Sequence, residues 1–553
     1  MKKSEENFKI KNMKGILITI AGIPRSLSDF VPDNGLALLA SCLIKNNVDI
    51  EILDFNLPSI FDEIYTVEIK KFLTNFANKI FIEQKKPGIF EIFKLKSVSK
   101  EIERRKNIYI EKLKENLLIK IEKEKIDFVG FKLWAGDGFD WSIEIGRYLK
   151  KQKPEIKIFG GGPQVDIFEH LIFEKGDFFD ALCYGEGEET IVELCRFVQG
   201  KKKLNDIPNI IYKEDGKVFK TERKYIEELD ELPFPVYNKE VYWNIDKKMK
   251  MFVIDESRGC QNSCFFCIHP KKSGKRKKKS IEKLIEEINF YINNYKTYLY
   301  RFAGSSTPGD LILDFSKKII NQGIKIDYAC SGYAEEFNID FGILKKSGCQ
   351  SIFFGVESGN EEILKKGMNK NIKKEVMLQV LKKCKQAGIF TVASLIYPAP
   401  FETEQTRKET IDFLRQVNVD SCLIQFPGIY PGTVWFKYPE RFNFKLNKET
   451  YPLKVMNYKI KALFPPRMWQ PLPYKVNGMS FKEFAYETEK FQKDVLKLGI
   501  NTSISNEDYL FYLYSGFNNT EEFLKFNRVY FYSGNSEKLR EEVERINRES
   551  EKR

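Results

Sequence analysis

Three cysteines within eight residues, Cys260, Cys264 and Cys267 in the stretch SRGCQNSCFFCIHP at 257–270, constrain this chain more than any other feature. At the spacing CxxxCxxC their sulfurs can converge on one metal centre without help from distant segments, so the backbone must wrap there as a single tight loop. Thiolates are soft ligands suited to zinc, copper(I) or iron–sulfur clusters. Structural zinc sites are closed by four ligands, and no second cysteine pair follows; a Cys3His knot completed by His269 is the zinc alternative. Otherwise a triplet leaves one iron of a four-iron cluster without a protein ligand. That iron is open to a substrate or cofactor.

The other seven cysteines (Cys42, Cys183, Cys195, Cys330, Cys349, Cys384 and Cys422) are scattered singly and read as small buried hydrophobes, not as a disulfide framework. A length of 553 residues suggests two or three domains. The N-terminal MKKSEENFKIKNMKG has charge but no apolar leader core, and no run of about 18 apolar residues follows. The expectation is a soluble, cytoplasmic protein with no membrane partner. The net charge of +13, from 91 Lys plus Arg against 78 Asp plus Glu, suits an acidic electron donor or a phosphorylated substrate. It would also suit nucleic acid, but no recognised RNA-binding module accompanies it, so nucleic acid is not expected as a partner.

In the N-terminal third, strand patterns at 14–20, 48–55, 127–134, 156–159 and 181–184 alternate with helical patterns at 34–45, 142–150 and 190–198. This alternation predicts a doubly wound, Rossmann-like α/β domain with a parallel sheet. Ligands of such sheets bind beyond the strand carboxyl ends, where glycines let the backbone approach closely. Gly160, Gly161 and Gly162 (GGGP) and Gly185, Glu186 and Gly187 (GEGE) occupy two such ends. Residues 61–121 carry apolar residues at helical spacing (Ile110, Leu113, Leu117, Leu118), predicting an inserted helical hairpin without chemistry of its own. Residues 206–245, with an Asp215-Gly216 hairpin turn and the ELPFP segment, read as a connector.

In the second half, Phe252 to Asp255 forms a strand that delivers the cysteine loop. Seven cations follow within nine residues, 271–279; the ordinary meaning is a solvated loop, the alternative a docking site for an acidic flavodoxin or ferredoxin. Further strand patterns at 298–303, 325–330, 351–356, 391–397 and 422–426 bring the count to six, with polar and glycine residues at their carboxyl ends, where barrels place their chemistry. Beyond 440 come aromatic and Pro-rich segments, then helices, the last eighteen residues predicting a charged, solvent-facing one. This tail is expected to close the barrel and shape a substrate pocket.

The triplet, with aromatic Phe266 before its third cysteine, resembles the signature of the radical S-adenosylmethionine enzymes. The resemblance implies a partial (β/α)6 barrel and a [4Fe–4S] cluster on Cys260, Cys264 and Cys267. The open iron of that cluster would chelate S-adenosylmethionine and cleave it to a 5′-deoxyadenosyl radical. It also implies S-adenosylmethionine contacts at Phe266, at Gly304 and Ser305 in FAGSS, and at Glu357 in GVESG. The family's GGE pattern is not matched at FAGSS. A carboxylate at 357 can accept both ribose hydroxyls; the alternative is an ion pair inside the barrel. PAPFE at 398–402 and YPGT at 430–433 resemble the loops after the fifth and sixth strands.

Residues 10–205, with GLALLA from Gly35, GGGP, GEGE and the following ELPFP, resemble the cobalamin-binding domain fused ahead of many such enzymes. The DxHxxG motif of the wider cobalamin-binding class is absent, and the chain has only two histidines, His170 and His269. The resemblance therefore implies a cobalamin whose lower face lacks a histidine ligand, held by the two glycine turns. Trp134 in FKLWAGDG either covers that face or is ordinary core. The implied plan is a cobalamin domain at 1–205, a connector at 206–245, a radical core at 246–440 and a closing region at 441–553. The implied activity is methyl transfer from methylcobalamin to an unactivated carbon of a small molecule or biosynthetic intermediate. Two alternatives stand: rearrangement or cyclisation without methyl transfer, and a zinc- and cobalamin-binding protein without catalysis. Methylthiotransferases resemble this core but bring further N-terminal cluster cysteines, which this chain lacks.

Overall fold

A computed structural model describes Ile10 and residues 12–552, leaving the charged start of the chain outside the described residues. The first sheet is built from β1 (Met13–Thr19), β2 (Val48–Asp54), β3 (Phe128–Lys132), β4 (Lys157–Gly161), β5 (Ala181–Cys183), β6 (Ile210–Glu214) and β7 (Lys217–Lys220), in the order β2-β1-β3-β4-β5-β6-β7. Its first five strands are parallel. Ile16, Leu17 and Ile18 are consecutive and all buried, as a sheet covered on both faces requires. Gly15 lies opposite Phe128, and a Cβ there would sit 2.2 Å from the Phe128 ring.

The hairpin expected within the connector instead extends this sheet. β6 pairs antiparallel with β5, and Ile210, Ile211 and Tyr212 are buried beside it while β7 stays exposed. The connecting segment that follows is pinned to the end of β2. Ile52 donates to Val241 (2.7 Å) and accepts from Trp243 (3.0 Å), and Lys248 pairs with Asp54 at 2.8 Å with both side chains almost fully buried.

Helix Asn34–Lys45 starts where the Asp33 side chain accepts from the Leu36 N–H, and it packs on one face of the sheet. The stretch Leu27–Lys45 is long and apolar enough to pass for a membrane span, yet Leu36, Ala37, Leu38, Ala40 and Leu43 are buried in the protein core. The opposite face carries helix Asp137–Gln152 and the insertion, whose helices Val67–Ala77 and Ile89–Glu124 are joined by a turn but not packed along their length as the expected hairpin: the first packs on helix Thr520–Ser533, the second on Asp137–Gln152. Leu95, Ile102, Ile110, Leu113, Leu117 and Ile121 form the buried stripe of the long helix.

The second sheet is the expected open barrel. Its strands are β8 (Met251–Ile254), β11 (Leu299–Phe302), β12 (Asp327–Gly332), β13 (Cys349–Glu357), β14 (Phe390–Ile396) and β15 (Ser421–Gln425), all parallel in the order β15-β14-β13-β12-β11-β8. Two short strands, β9 (Ser257–Arg258) and β10 (Lys277–Lys278), lie outside it.

The final helix, Ser536–Glu551, is not the solvent-facing element expected from its charge. Leu539, Val543 and Ile546 recur at helical spacing among the charges and enter the same core as the insertion. Asn547 accepts from the Lys250 N–H (2.7 Å) and donates to the Lys248 carbonyl (2.9 Å), capping the start of β8.

Candidate active site

β9 and β10 close the cysteine loop as a two-strand clip, with Ser257 opposite Lys278 and Arg258 opposite Lys277. Gly259 follows at φ +82°, and a Cβ there would lie 2.3 Å from the Lys275 carbonyl oxygen, so only glycine fits. The Asn262 N–H points at Cys260 Sγ and the His269 N–H at Cys267 Sγ, each at 3.4 Å. Burial pushes the Cys264 thiol up to about 11, Lys370 pulls it down, and Cys267 and Cys260 raise it further. The three sulfurs thus act on one another electrostatically, and a cationic metal cluster would offset both burial and mutual repulsion.

In the zinc alternative His269 would have to bind through Nε2, because its Nδ1 is engaged. His269 turns its Nδ1 to Ser305 Oγ at 2.9 Å, and among the described residues no three His, Cys, Asp or Glu side chains surround a single-ion position. The rest of the loop is held by aromatic packing: Phe266 stacks obliquely on fully buried Trp435 at 5.5 Å, and the Trp435 N–H donates to the Phe265 carbonyl at 3.1 Å.

Six of the seven cations in the lysine-rich run form ion pairs, although Lys271, Lys275 and Lys278 stay exposed. Lys271 pairs with Glu169 (2.8 Å) and Lys272 with Asp166 (3.1 Å), both acids of the first domain. Arg276 pairs with Glu336, Lys277 with Glu227, Lys278 with Asp310 and Lys279 with buried Glu287. These partners lie 32 or more residues away in sequence for all but Lys279, which is why the run reads as unpaired in the sequence alone.

Glu256, not singled out in the sequence, organises the loop after β11. It is fully buried and accepts from the N–H groups of Ala303 and Gly304 (3.0 Å each) and from the Thr307 hydroxyl (2.8 Å). Burial pushes its carboxyl up to about 7. A Cβ on Gly304 would lie 2.3 Å from Ser257 Oγ and 2.4 Å from Glu256 Oε1, which explains the glycine. The available signal was a pair of acids, Asp255 and Glu256, following a wholly apolar strand. Ser306 Oγ is buried there with no hydrogen-bond partner.

Glu357 ends β13 at φ +67°, where the register against β14 slips by a residue. Its Oε1 accepts from Lys370 Nζ at 3.2 Å, and the two side chains are only 10% and 6% exposed. The ion pair considered for Glu357 is therefore present.

The strand ends of both sheets open into one cavity of about 330 Å³. Gly160, Gly161, Gly162, Gly185, Glu186 and Gly187 all line it from the first domain; Gly259, His269 and Ser305 line it from the second. A Cβ on Gly161 would meet nothing closer than the Cys183 carbonyl at 3.6 Å, so the cavity is open at this position because a side chain is missing. The combination of an apolar sheet-end cavity, a glycine cradle and its position facing the cysteine loop fits the nucleotide tail and ring edge of a corrinoid.

Arg258 crosses this interface, donating to Asp255 (2.7 Å) on its own domain and to Glu188 (2.5 Å) and Glu186 (3.3 Å) on the other. Burial raises the Glu186 carboxyl, and Arg258 opposes that rise.

Trp134 is placed otherwise than expected. It is neither core nor a wall of this cavity: it is half-buried, its Nε1 donates to Thr19 Oγ1 (2.9 Å), and Lys132 Nζ sits 4.5 Å over its ring. It lines a neighbouring cavity of about 480 Å³, together with Tyr430, Tyr451 and Tyr474. Phe266, Gly304 and Glu357 also lie off the first cavity's lining. His170 is exposed.

Comparison with known proteins matches residues 256–414 to the radical SAM superfamily and 103–195 to the B12 binding domain. An uncharacterised methyltransferase of Pyrococcus horikoshii is 28% identical over 327 residues, covering 58% of this chain and 70% of that protein. The anaerobic magnesium-protoporphyrin IX monomethyl ester cyclase of Synechocystis is 25% identical over 284 residues, 49% of this chain and 55% of that one. The solved structure of the radical S-adenosylmethionine methyltransferase TsrM from Kitasatospora setae, with cobalamin and a [4Fe–4S] cluster bound, shares the fold at a TM-score of 0.60 and 12% identity, over 96% of this chain and 99% of that one. A B12-binding domain joined to a radical SAM barrel through one shared cavity makes this chain a cobalamin-dependent radical S-adenosylmethionine enzyme, with a [4Fe–4S] cluster, S-adenosylmethionine and cobalamin as its cofactors.

Proposed function

We propose that the enzyme transfers a methyl group to an unactivated carbon of a small-molecule substrate. The observation that supports the reading is the cavity walled by the glycine turns of one domain and by Gly259, His269 and Ser305 of the other, which brings the strand ends of the B12-binding sheet up to the segment that carries the cysteine loop. When bound, the cluster supplies one electron for cleavage of S-adenosylmethionine and the corrinoid carries the methyl group.

Cys260, Cys264 and Cys267 hold the cluster, and the Asn262 and His269 N–H groups offset charge on two of the sulfurs. The loop fixed by Glu256 presents Gly304 and Ser305 to S-adenosylmethionine. Glu357 exchanges part of its pairing with Lys370 for the ribose hydroxyls. Gly160 to Gly162 and Gly185 to Gly187 cradle the corrinoid, and Arg258 with the Lys271 and Lys272 pairs keeps water out of the seam between domains. Trp134 and the tyrosines of the second cavity receive the substrate. All ten cysteines are unpaired, which suits the reducing cytoplasm. A flavodoxin- or ferredoxin-type donor reduces the cluster, and exposed Lys271, Lys275 and Lys278 of the lysine-rich run offer it cationic contacts.

The test is anaerobic reconstitution, with iron, sulfide and cobalt measured on one sample. About four irons and sulfides with stoichiometric cobalt per chain support the reading, as does a product heavier by one methyl. A product rearranged or cyclised without added carbon would instead favour the second reading, to which the similarity to the cyclase lends support. Zinc alone would overturn both.

A further inference from the structure

The turn of the inserted hairpin carries an apolar tip that none of the described residues covers. Phe90 is 89% exposed, Ile89 72% and Phe93 64%, with Ile82 beside them. The tip is a built feature. Lys79 pairs with Glu91 at 2.7 Å across the turn, and Glu91 also accepts from the Gly88 N–H at 2.6 Å. Just before the turn, Phe76 and Phe81 pack on Tyr532 of the C-terminal helices, at 6.0 and 5.6 Å between ring centroids. The hairpin therefore presents its tip on a fixed support.

The charge around the tip selects the partner. Residues 79–100 contain six lysines, two glutamates and no arginine. Protein–protein interfaces are depleted in lysine and enriched in arginine, whereas a phenylalanine and isoleucine tip ringed by long, flexible lysines matches the interfacial region of an anionic bilayer, where apolar groups enter the acyl boundary and ammonium groups stay at the headgroups. We propose that this hairpin tip is a docking site for an anionic lipid surface, through which the enzyme works at a membrane. The inference departs from the expectation of no membrane partner, and it is independent of the reaction proposed above.

The experiment is co-sedimentation of the intact, reconstituted protein with vesicles of equal parts phosphatidylcholine and phosphatidylglycerol, and with phosphatidylcholine alone. Binding is expected to the anionic vesicles and to weaken with salt. Phe90→Ser with Phe93→Ser is expected to cut the partition coefficient by about tenfold or more, and Lys85→Glu with Lys86→Glu by about as much. Both variants should keep the wild-type rate of S-adenosylmethionine cleavage and the wild-type melting temperature, since all four side chains are exposed. Sedimentation of the wild type with neither vesicle, or sedimentation unaffected by the two double variants, would overturn the proposal. So would a lipid-free, concentration-dependent self-association abolished by the phenylalanine variant, which would make the tip a contact between copies of this chain.

Discussion

Arg258, two residues before the first cluster cysteine, reaches 2.5 Å from the Glu188 carboxylate in the strand-end turn of the other domain, with the two side chains 13% and 8% exposed. Removing one partner of a buried ion pair leaves the other charge uncompensated. Arg258→Met is therefore expected to destabilise the protein by ~3 kcal/mol or more, read as a fall in the denaturant midpoint. Adding Glu188→Gln should return part of that loss; a double variant no better than the single one would count against the pair as the cause.

The cluster assignment predicts that Cys264→Ala abolishes S-adenosylmethionine cleavage and lowers bound iron while leaving cobalamin binding intact. Iron content and the absorbance of bound corrinoid, measured on the same preparation, check both halves. Cleavage retained by the variant would remove Cys264 from the cluster.

Gly161 has room for a Cβ and opens onto the cavity. Gly161→Leu should fill that space, weakening cobalamin binding by about 100-fold or more, on the scale of a few kcal/mol for overpacking a fitted site. Iron content should not change. Titration of the apoprotein with cobalamin gives the answer directly.

Glu357→Gln should raise the dissociation constant for S-adenosylmethionine about tenfold or more, in line with the loss of a charge-assisted hydrogen bond. Cobalamin affinity should stay unchanged. Equilibrium binding to the reconstituted enzyme separates this from a general loss of fold, and an unaltered constant would leave Glu357 as the structural partner of Lys370 alone.

Glu256 predicts a pH dependence of stability. Burial raises its carboxyl to about 7 in the fold, from the 4.5 of a glutamate in water. Between those two values the folded state holds a proton that the unfolded chain has released, so stability falls as pH rises through this window and levels off above it. The full effect is ~3 kcal/mol. Glu256→Gln should flatten that part of the profile. Melting temperatures of both proteins from pH 4.5 to 8 would show the difference; parallel profiles would assign the dependence elsewhere.

Period and spacing made much of this molecule readable. Helix 34–45 was legible because apolar residues recur along it at helical spacing, and the six barrel strands because buried parallel strands are continuous apolar runs. The glycine turns could be placed at strand ends for the same reason. What was hidden is long-range pairing. Nothing in KKSGKRKKK names Glu169, Asp166 or Glu336 as its partners, and nothing local marks Glu256 as the acceptor for a loop 48 residues on. Trp134 was misplaced because strand polarity tells which end a residue is at, but not which of two adjoining cavities it faces.

The hydrogen bonds from Asn547 to the backbone of Lys248 and Lys250 also bear on how the protein is made. Ribosomal synthesis delivers the cysteine loop nearly three hundred residues before the helix that caps the strand leading into it. Until that helix emerges, the nascent barrel has an unsealed first strand. Closure of the strand that delivers the cysteine loop therefore draws on a residue 297 positions further along the chain.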